Sequence, residues 1–540
     1  MKQEMRNILK LLAGSFMAVI LISGCDDILE VDSDRRLLEE NHTINTTFDA
    51  MYGKTGVYAK LQELGRRYVL LGELRGDMMD ITNNAGRDLR EISEFNISPD
   101  NPYADIRDYY AVINQCNYII SKLDTSVVIQ AEKVLMRDMA AVKSVRAWTY
   151  LQMALNYGSV RYYEEPLLSI NAAKKDFPEL SLNELLPVLI ADLEPWRNIL
   201  PPNEVIIDDN INSGMIHFPV RFVLGDLYLW NGEYERAALE YRNLMVAEEI
   251  IAWSIRNTWE VTGSAFIGQN RVWWNAFDME NIHEERITIL AKSTEHGSGA
   301  YLDSIMIYNF EVAPSNAAVE TFLEQTYYHN ANVTTDGDLR RVHTFQLFDE
   351  ILGTVPDQFA GQAGYISKYV NYASTESASA IFIYRAAQLH LRYAEAVNRA
   401  GKPNLAFSVI KHGLKEQVIM NDSIVPSRER TNNLPTYMNF SNTFFNYSRG
   451  IRERGSGNVS TVNSFRIPSM PTLQDSIRYV EDMIIEEYAL ELAYEGHRFH
   501  DLMRVALRRN DPGFLASMVA RRNSALEGIL SDPNRWYLPK

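Results

Sequence analysis

The chain has 540 residues, 46% of them hydrophobic and 23% charged, so it can bury a sizeable core beneath a polar surface and does not read as a disordered polypeptide. Its formal net charge is -17, and no basic patch with interleaved aromatics interrupts that balance, which argues against a nucleic-acid-binding surface. With Cys25 and Cys116 as its 2 cysteines, its stability has to come from packing.

Residues 1–24 read as a secretory signal. Lys2, Arg6 and Lys10 flank or enter the apolar run from Ile8 to Ile22, and Leu21-Ile22-Ser23-Gly24-Cys25 supplies a small-residue junction in a stretch too short to span a bilayer confidently. Cys25 then becomes the new N-terminal residue, able to carry thioether and amide lipids, and two or more acyl chains make a stable anchor. Residues 25–46 are acidic and weakly periodic, as expected of a lipidated tether. Cys116 lies in a helical-looking stretch and reads as a small buried thiol, not a nucleophile.

From residue 47 to the C-terminus we expect a single, mainly α-helical domain. Approximate divisions are N-terminal helical repeats over 47–250, a loop-rich insertion over 251–380 and a C-terminal region over 381–540. Arg137 to Tyr157 has apolar residues at spacings of three and four, with Ala140, Ala141, Ala147 and Ala154 allowing close helix approach. Pro219 opens the next unit, where Leu224-Gly225, Tyr228, Ala237 and Tyr241 match the offsets of a tetratricopeptide helix pair turning at Asn231-Gly232. A second copy runs from Arg385 to Ala400, turns at Gly401-Lys402-Pro403 and continues to Ile410, and Ala394 and Ala406 repeat the separation of Gly225 and Ala237. Such units bury their apolar faces against neighbours, although these copies are too degenerate for a regular solenoid. Between them, about Trp253 to Ala378, and again from Val425 to about Asp475, the sequence turns polar and aromatic, which suits binding loops on a helical support.

Three stretches then become specific: Arg385-Ala386-Ala387-Gln388-Leu389-His390-Leu391-Arg392-Tyr393-Ala394-Glu395-Ala396-Val397-Asn398; Glu486-Glu487-Tyr488 continuing through Glu491, Glu495 and Gly496-His497-Arg498-Phe499-His500-Asp501 to Arg504; and the tail Arg535-Trp536-Tyr537-Leu538-Pro539. With the lipoprotein-like start and the segment from Val145-Arg146-Ala147-Trp148 to Asn156-Tyr157-Gly158, they resemble the SusD/RagB family from end to end. Phe499 departs from the family pattern, which often has tryptophan there, so the indole hydrogen bond is lost while apolar volume is kept. The Cys25-Asp26-Asp27 start also resembles the surface-export tag of Bacteroidetes lipoproteins. Glu487, Glu491 and Glu495 are four apart and read as one helix face; Arg498 and Arg504 are the local cations expected to join them in a structural network.

The resemblance implies an outer-membrane lipoprotein facing the cell exterior. It implies capture of nutrient, most often oligosaccharide and in some members peptide or another nutrient, for a SusC-like TonB-dependent transporter. An enzyme is the weaker reading. A glycoside hydrolase needs two carboxyls at a defined separation, which Glu284-Glu285 or Glu486-Glu487 does not establish. His283-Glu284-Glu285-Arg286 lacks the second histidine of a zinc protease, and neither a phosphate-binding loop nor a nucleophile elbow is evident. No cofactor is expected, and no specific ligand spacing supports a structural calcium ion. A purely structural helical scaffold is the other non-catalytic alternative.

Ligand contacts are expected outside the three family stretches, in two places: the early loop with Tyr68, Arg75, Asp77, Asp80 and Asn83, and the aromatic insertion with Trp259, Trp273 and Trp274. Sugar rings present apolar C–H faces to aromatic rings, and their hydroxyl rims need donors and acceptors. Adjacent side chains of an extended strand face opposite ways, so only one of Trp273 and Trp274 should meet a ligand.

Overall fold

The computed structural model describes residues 42–202, 206–208, 211–247, 253–255, 277, 285–291, 302–330, 333–352, 359, 361–369, 380–430, 434–456 and 459–540. Its helices of present interest are α1 (Thr47–Glu73), α2 (Arg107–Lys122), α3 (Met136–Tyr157), α4 (Leu182–Leu193), α5 (Val220–Trp230), α6 (Tyr234–Met245), α7 (Ala386–Arg399), α8 (Pro403–Lys411), α9 (Leu473–Glu491), α10 (Arg498–Arg509) and α11 (Pro512–Ala520). They pack side by side in the order α1–α2–α3–α4–α5–α6–α7–α8, and α9 then lies against α7 and α8. Asn45 to Lys540 form one compact unit.

The helix pairs follow from small residues. Gly225 on α5 lies under the Tyr241 ring of α6 so closely that an added Cβ would overlap it, and Ala237 is fully buried in the same interface. Gly401 at φ +83° makes the turn between α7 and α8, a conformation glycine adopts without a Cβ penalty, and Pro403 opens α8 where its missing N–H is harmless. A capping box starts α9: Asp475 N donates to Thr472 Oγ1 and Thr472 N to the Asp475 carboxylate, both at 3.1 Å.

Strands occur among the described residues only as two-stranded antiparallel ladders, two of which fasten the insertion to the helices. Strand β1 (Met79–Ile81) follows α1, and β2 (Arg286–Ala291) and β3 (Val312–Pro314) belong to the insertion, while β4 (Ala380–Arg385) runs directly into α7. The register pairs Asp80 with Ala313 and Ile381 with Leu290. The early loop and the insertion therefore meet by backbone pairing.

Candidate functional site

Where β1 ends beside β3, two irregular segments are held together at the surface. Thr82 N donates to Glu311 O at 2.9 Å, the Thr82 hydroxyl to Phe310 O, and Asn84 Nδ2 to Asn309 O at 3.2 Å. The Arg90 guanidinium, from the short helix Arg87–Ser93, donates to the carbonyls of Ala85, Thr82 and Asn83 at 3.0, 3.1 and 3.0 Å, so the loop shape is fixed from below. Opposite it, Ser304–Tyr308 form a π-helical turn capped by Asp303, whose carboxylate accepts from Ser304 N at 3.1 Å. Phe310 follows at φ 49°, its ring buried at 5.1 Å from Phe359 and 5.8 Å from Phe348.

Pinning Phe310 inward turns Tyr308 outward, where it is 80% exposed. Asn83, Asn84 and Asn309 are exposed beside this edge, and Glu311 is half-buried with one oxygen accepting from Gly86 N at 3.4 Å. Arg87 is exposed and pairs with Asp88 and Asp100, both at 3.1 Å. Hydrogen bonds from Ser98 and Asn101 hold the Glu91 carboxyl below its ordinary range. The edge thus combines a phenol ring with amide, carboxylate and guanidinium groups on a fixed backbone. Single-turn π segments recur at functional sites for this kind of re-aiming.

Of the sequence candidates, Asn83 lies in this loop. Asp80 is half-buried behind it, accepting from Ile81 N at 2.8 Å and pairing with Arg522 at 3.0 Å. The structure corrects the other three early residues, which face the core. Tyr68 is buried with its hydroxyl 3.0 Å from His497 Nδ1 and its ring against Trp148. Arg75 is buried over the Phe499 ring, donating to Leu71 O at 2.8 Å and Trp536 O at 3.0 Å, and burial pushes its guanidinium down to about 10. Asp77 is gripped by Arg498 at 2.5 and 2.8 Å. Trp259, Trp273 and Trp274 lie outside the described residues. Tyr308, Asn84 and Asn309 were not singled out from the sequence.

Against known proteins, residues 360–523 match the model of the SusD family. A SusD-like protein of Formosa agariphila is 24% identical over 91% of this chain and 90% of its own length. Among solved structures, surface glycan-binding protein A from Bacteroides fluxus superposes with a TM-score of 0.59 at 16% identity, covering 92% of this chain and 95% of that one. A SusD-like carbohydrate binding protein from Bacteroides vulgatus gives 0.56 at 17% identity over 86% and 84%. Over residues 360–523 the chain is similar to the SusD family, and over most of its length it resembles SusD-like proteins in sequence and in fold.

The region matched by the SusD-family model contains the glutamate series, and there a second correction arises. Glu487 and Glu491 share a face of α9, which ends at Glu491, and Glu495 follows in the turn before α10; all three are fully buried. Their cations are not Arg498 and Arg504. Arg340 reaches Glu487 at 2.6 Å and Glu491 at 2.8 Å, Arg385 reaches Glu491 at 2.8 Å and Glu495 at 2.7 Å, Arg454 reaches Glu491 at 2.8 Å, and Lys368 reaches Glu495 at 2.5 Å. Burial alone would raise the Glu491 carboxyl, yet Arg454, Arg385 and Arg340 together hold it well below the usual carboxylate range. At Glu487 burial outweighs Arg340 and Arg452, and its carboxyl is raised. Arg498 instead takes Asp77, and Arg504 takes Glu395 at 2.6 Å and Asp501 at 2.7 Å. The reason is competition: Arg498 and Arg504 each make a bidentate pair elsewhere, with Asp77 and Glu395, and the α9 carboxylates are met by cations from segments distant in the chain.

These buried charges fit a scaffold, not a reaction centre, since each strongly perturbed glutamate of the α9 face is fixed by guanidinium or ammonium groups. Two open clefts of about 520 and 580 Å³ adjoin along α9 and share Glu324, Gln325, Asp482 and Glu486. Their charged groups are largely engaged, Arg452 with Glu486 and Arg509 with Asp482, both at 2.6 Å. Among the described residues no group of three His, Cys, Asp or Glu side chains could hold a metal ion, and no helix is long and apolar enough to cross a membrane.

Proposed function

We propose that this SusD-like protein captures oligosaccharide at the cell surface without altering it and passes it to a SusC-like TonB-dependent transporter in the outer membrane. The observation carrying the reading is the Tyr308 edge: a phenol ring 80% exposed on a π-helical turn, followed by Asn309, whose carbonyl accepts from Asn84 and whose amide donates to Glu311. A sugar's C–H face lies on such a ring while amides and a carboxylate meet its hydroxyls. Structural neighbours described as glycan- or carbohydrate-binding support the same ligand class. Trp259, Trp273 and Trp274 remain proposed contributors to contact. Lipidation of Cys25 anchors the protein to the outer membrane, with residues 25–46 as its tether.

The test is calorimetric titration of the full chain against oligosaccharides, followed by chromatography of the recovered ligand. Binding that Tyr308→Ala weakens about two- to tenfold, the scale of one aromatic contact, with ligand recovered intact, is the expected result. Turnover that survives repurification, or binding indifferent to Tyr308 and to each of the three tryptophans, overturns it.

A further inference from the structure

Residues 431–448, Thr-Asn-Asn-Leu-Pro-Thr-Tyr-Met-Asn-Phe-Ser-Asn-Thr-Phe-Phe-Asn-Tyr-Ser, contain no charged side chain in a protein where 23% of residues are charged. Such a run of asparagine, serine, threonine and aromatics usually marks either core or a neutral recognition surface. The structure shows both uses in alternation along residues 434–448. Tyr437, Phe440 and Phe445 are buried, whereas Phe444 is 50% and Tyr447 75% exposed.

The buried members fix the loop to the helix pairs. Tyr393 of α7 donates its hydroxyl to Tyr437 O at 2.7 Å, Arg242 of α6 donates to Asn439 O at 2.8 Å, and Tyr437 donates to Glu235 of α6 at 3.0 Å. The Phe440 ring stands edge-on to Tyr393 at 5.5 Å and to Phe445 at 5.1 Å. Asn439 Oδ1 accepts from Ser441 N at 3.1 Å, and Asn442 Oδ1 from Phe444 N at 3.0 Å, so each bend is closed by a side chain.

A 3₁₀ turn over Thr443–Phe445 carries Phe444, and the turn that follows carries Tyr447. Phe445 N donates to Asn442 O, Asn446 N to Thr443 O and Ser448 N to Phe445 O, all spans of three residues. Phe444 and Tyr447 are three apart, and Phe445 and Ser448, also three apart, are the buried pair. Exposed Asn439, Ser441, Thr443 and Asn446 supply amides and hydroxyls around the outward rings. Preorganised aromatic rings among neutral amides and hydroxyls are the recipe of adaptable recognition surfaces. The absence of charge selects a neutral polyhydroxylated ligand over an anionic glycan or a charged peptide.

We infer that Phe444 and Tyr447 form a second contact surface for neutral oligosaccharide, carried on α6 and α7 and separate in its supports from the Tyr308 edge, which rests on β1 and β3. The inference rests on the proposed glycan-capture function and extends it to a second surface of the same domain.

The test is native affinity electrophoresis of the full chain, purified in detergent, through gels containing β-glucan, xylan, arabinan or galactomannan, with polygalacturonate as the anionic comparison. Retention in at least one neutral gel should fall about two- to tenfold in Tyr447→Ala. It should recover in Tyr447→Phe, at an unchanged melting temperature. If Tyr308→Ala weakens retention while Tyr447→Ala and the Phe444→Ala/Tyr447→Ala pair do not, this inference falls and the first reading stands. Dependence on Tyr447 without dependence on Tyr308 supports the inference and moves the first reading away from Tyr308. Retention by polygalacturonate alone, or by no gel, overturns the inference. So does loss of a co-purifying outer-membrane transporter in Tyr447→Ala with glycan retention intact, which assigns the loop to a protein partner.

Discussion

Replacing Arg385 by methionine keeps most of the side chain's length and removes the cation that joins two of the family-motif glutamates. In the native protein its guanidinium makes bonds of 2.7 and 2.9 Å to the Glu495 carboxylate, 2.8 Å to Glu491 and 2.6 Å to the Glu491 carbonyl, all fully buried. Glu491 would keep Arg340 and Arg454, but Glu495 would be left with Lys368 alone. Removing one member of a buried ion pair costs about 3–5 kcal/mol because the remaining charge is stranded. With an unfolding entropy of about 2.1 cal/mol/K per residue, the unit from Asn45 to Lys540 should lose about 3–5 °C in melting temperature at pH 8. Native Glu495 is held below its ordinary value by Arg385 and Lys368 against burial, so its stabilisation is present above the unfolded pKa and lost as pH falls through the folded one. In Arg385→Met the balance reverses and Glu495 takes up a proton. The deficit should therefore be full at pH 8 and shrink towards pH 4. Calorimetric scans of wild type and variant across that range provide the check, and a variant that melts with wild type at pH 8 refutes the reasoning.

Gly225→Ala should destabilise by about 1–3 kcal/mol through overlap with the Tyr241 ring, although alanine is the better helix former; a rise in melting temperature would show that the α5–α6 contact is not close-packed. Burial pushes the Glu73 carboxyl up to about 7 despite backbone donors from Gly496, His497 and Arg498, so the native state holds a proton between the unfolded value and pH 7 and loses stability as pH rises through that window. Glu73→Gln, compared with wild type, should accordingly gain about 2–3 kcal/mol between pH 4.5 and pH 8 in denaturant titrations, and parallel pH profiles would contradict this. Cys25→Ala should abolish acyl-lipid labelling and release the protein from membranes; continued labelling would reject the anchor.

The helix pairs were readable because their signal is local: Gly225 and Ala237, then Ala394 and Ala406, at one separation. A spacing of four placed Glu487 and Glu491 on one helix face for the same reason, but Glu495 lies past the end of α9, in the turn before α10. The partners of these glutamates were not readable, because Arg340 and Lys368 come from turns and Arg454 from the short helix Glu453–Ser456, segments whose approach no periodicity encodes. Arg75 and Asp77 looked like exposed loop polars, and their burial depends on Arg498, Asn156 and Trp536, residues far along the chain. Tyr308 escaped notice because a π turn has neither the helical nor the strand period, so burial of Ile305 and Met306 beside exposure of Tyr308 matches no template.

The contacts of α1 with the far end of the chain also set an order of events. Arg75 bonds Trp536 O, Asp77 pairs with Arg498, and Gly72 lies against Gly496 with no room for a side chain on either. A polypeptide made from its N-terminus cannot complete these contacts until Arg498 and Trp536 exist, so the polar end of α1 waits across a separation of 461 residues from Arg75 to Trp536 before it is satisfied. Closing so large a loop is slow, and it makes native structure contingent on the segments around Arg498 and Trp536. Chains cut short before Trp536 would be left with the Arg75 guanidinium buried and short of an acceptor, a state that quality-control proteases can distinguish from the finished protein.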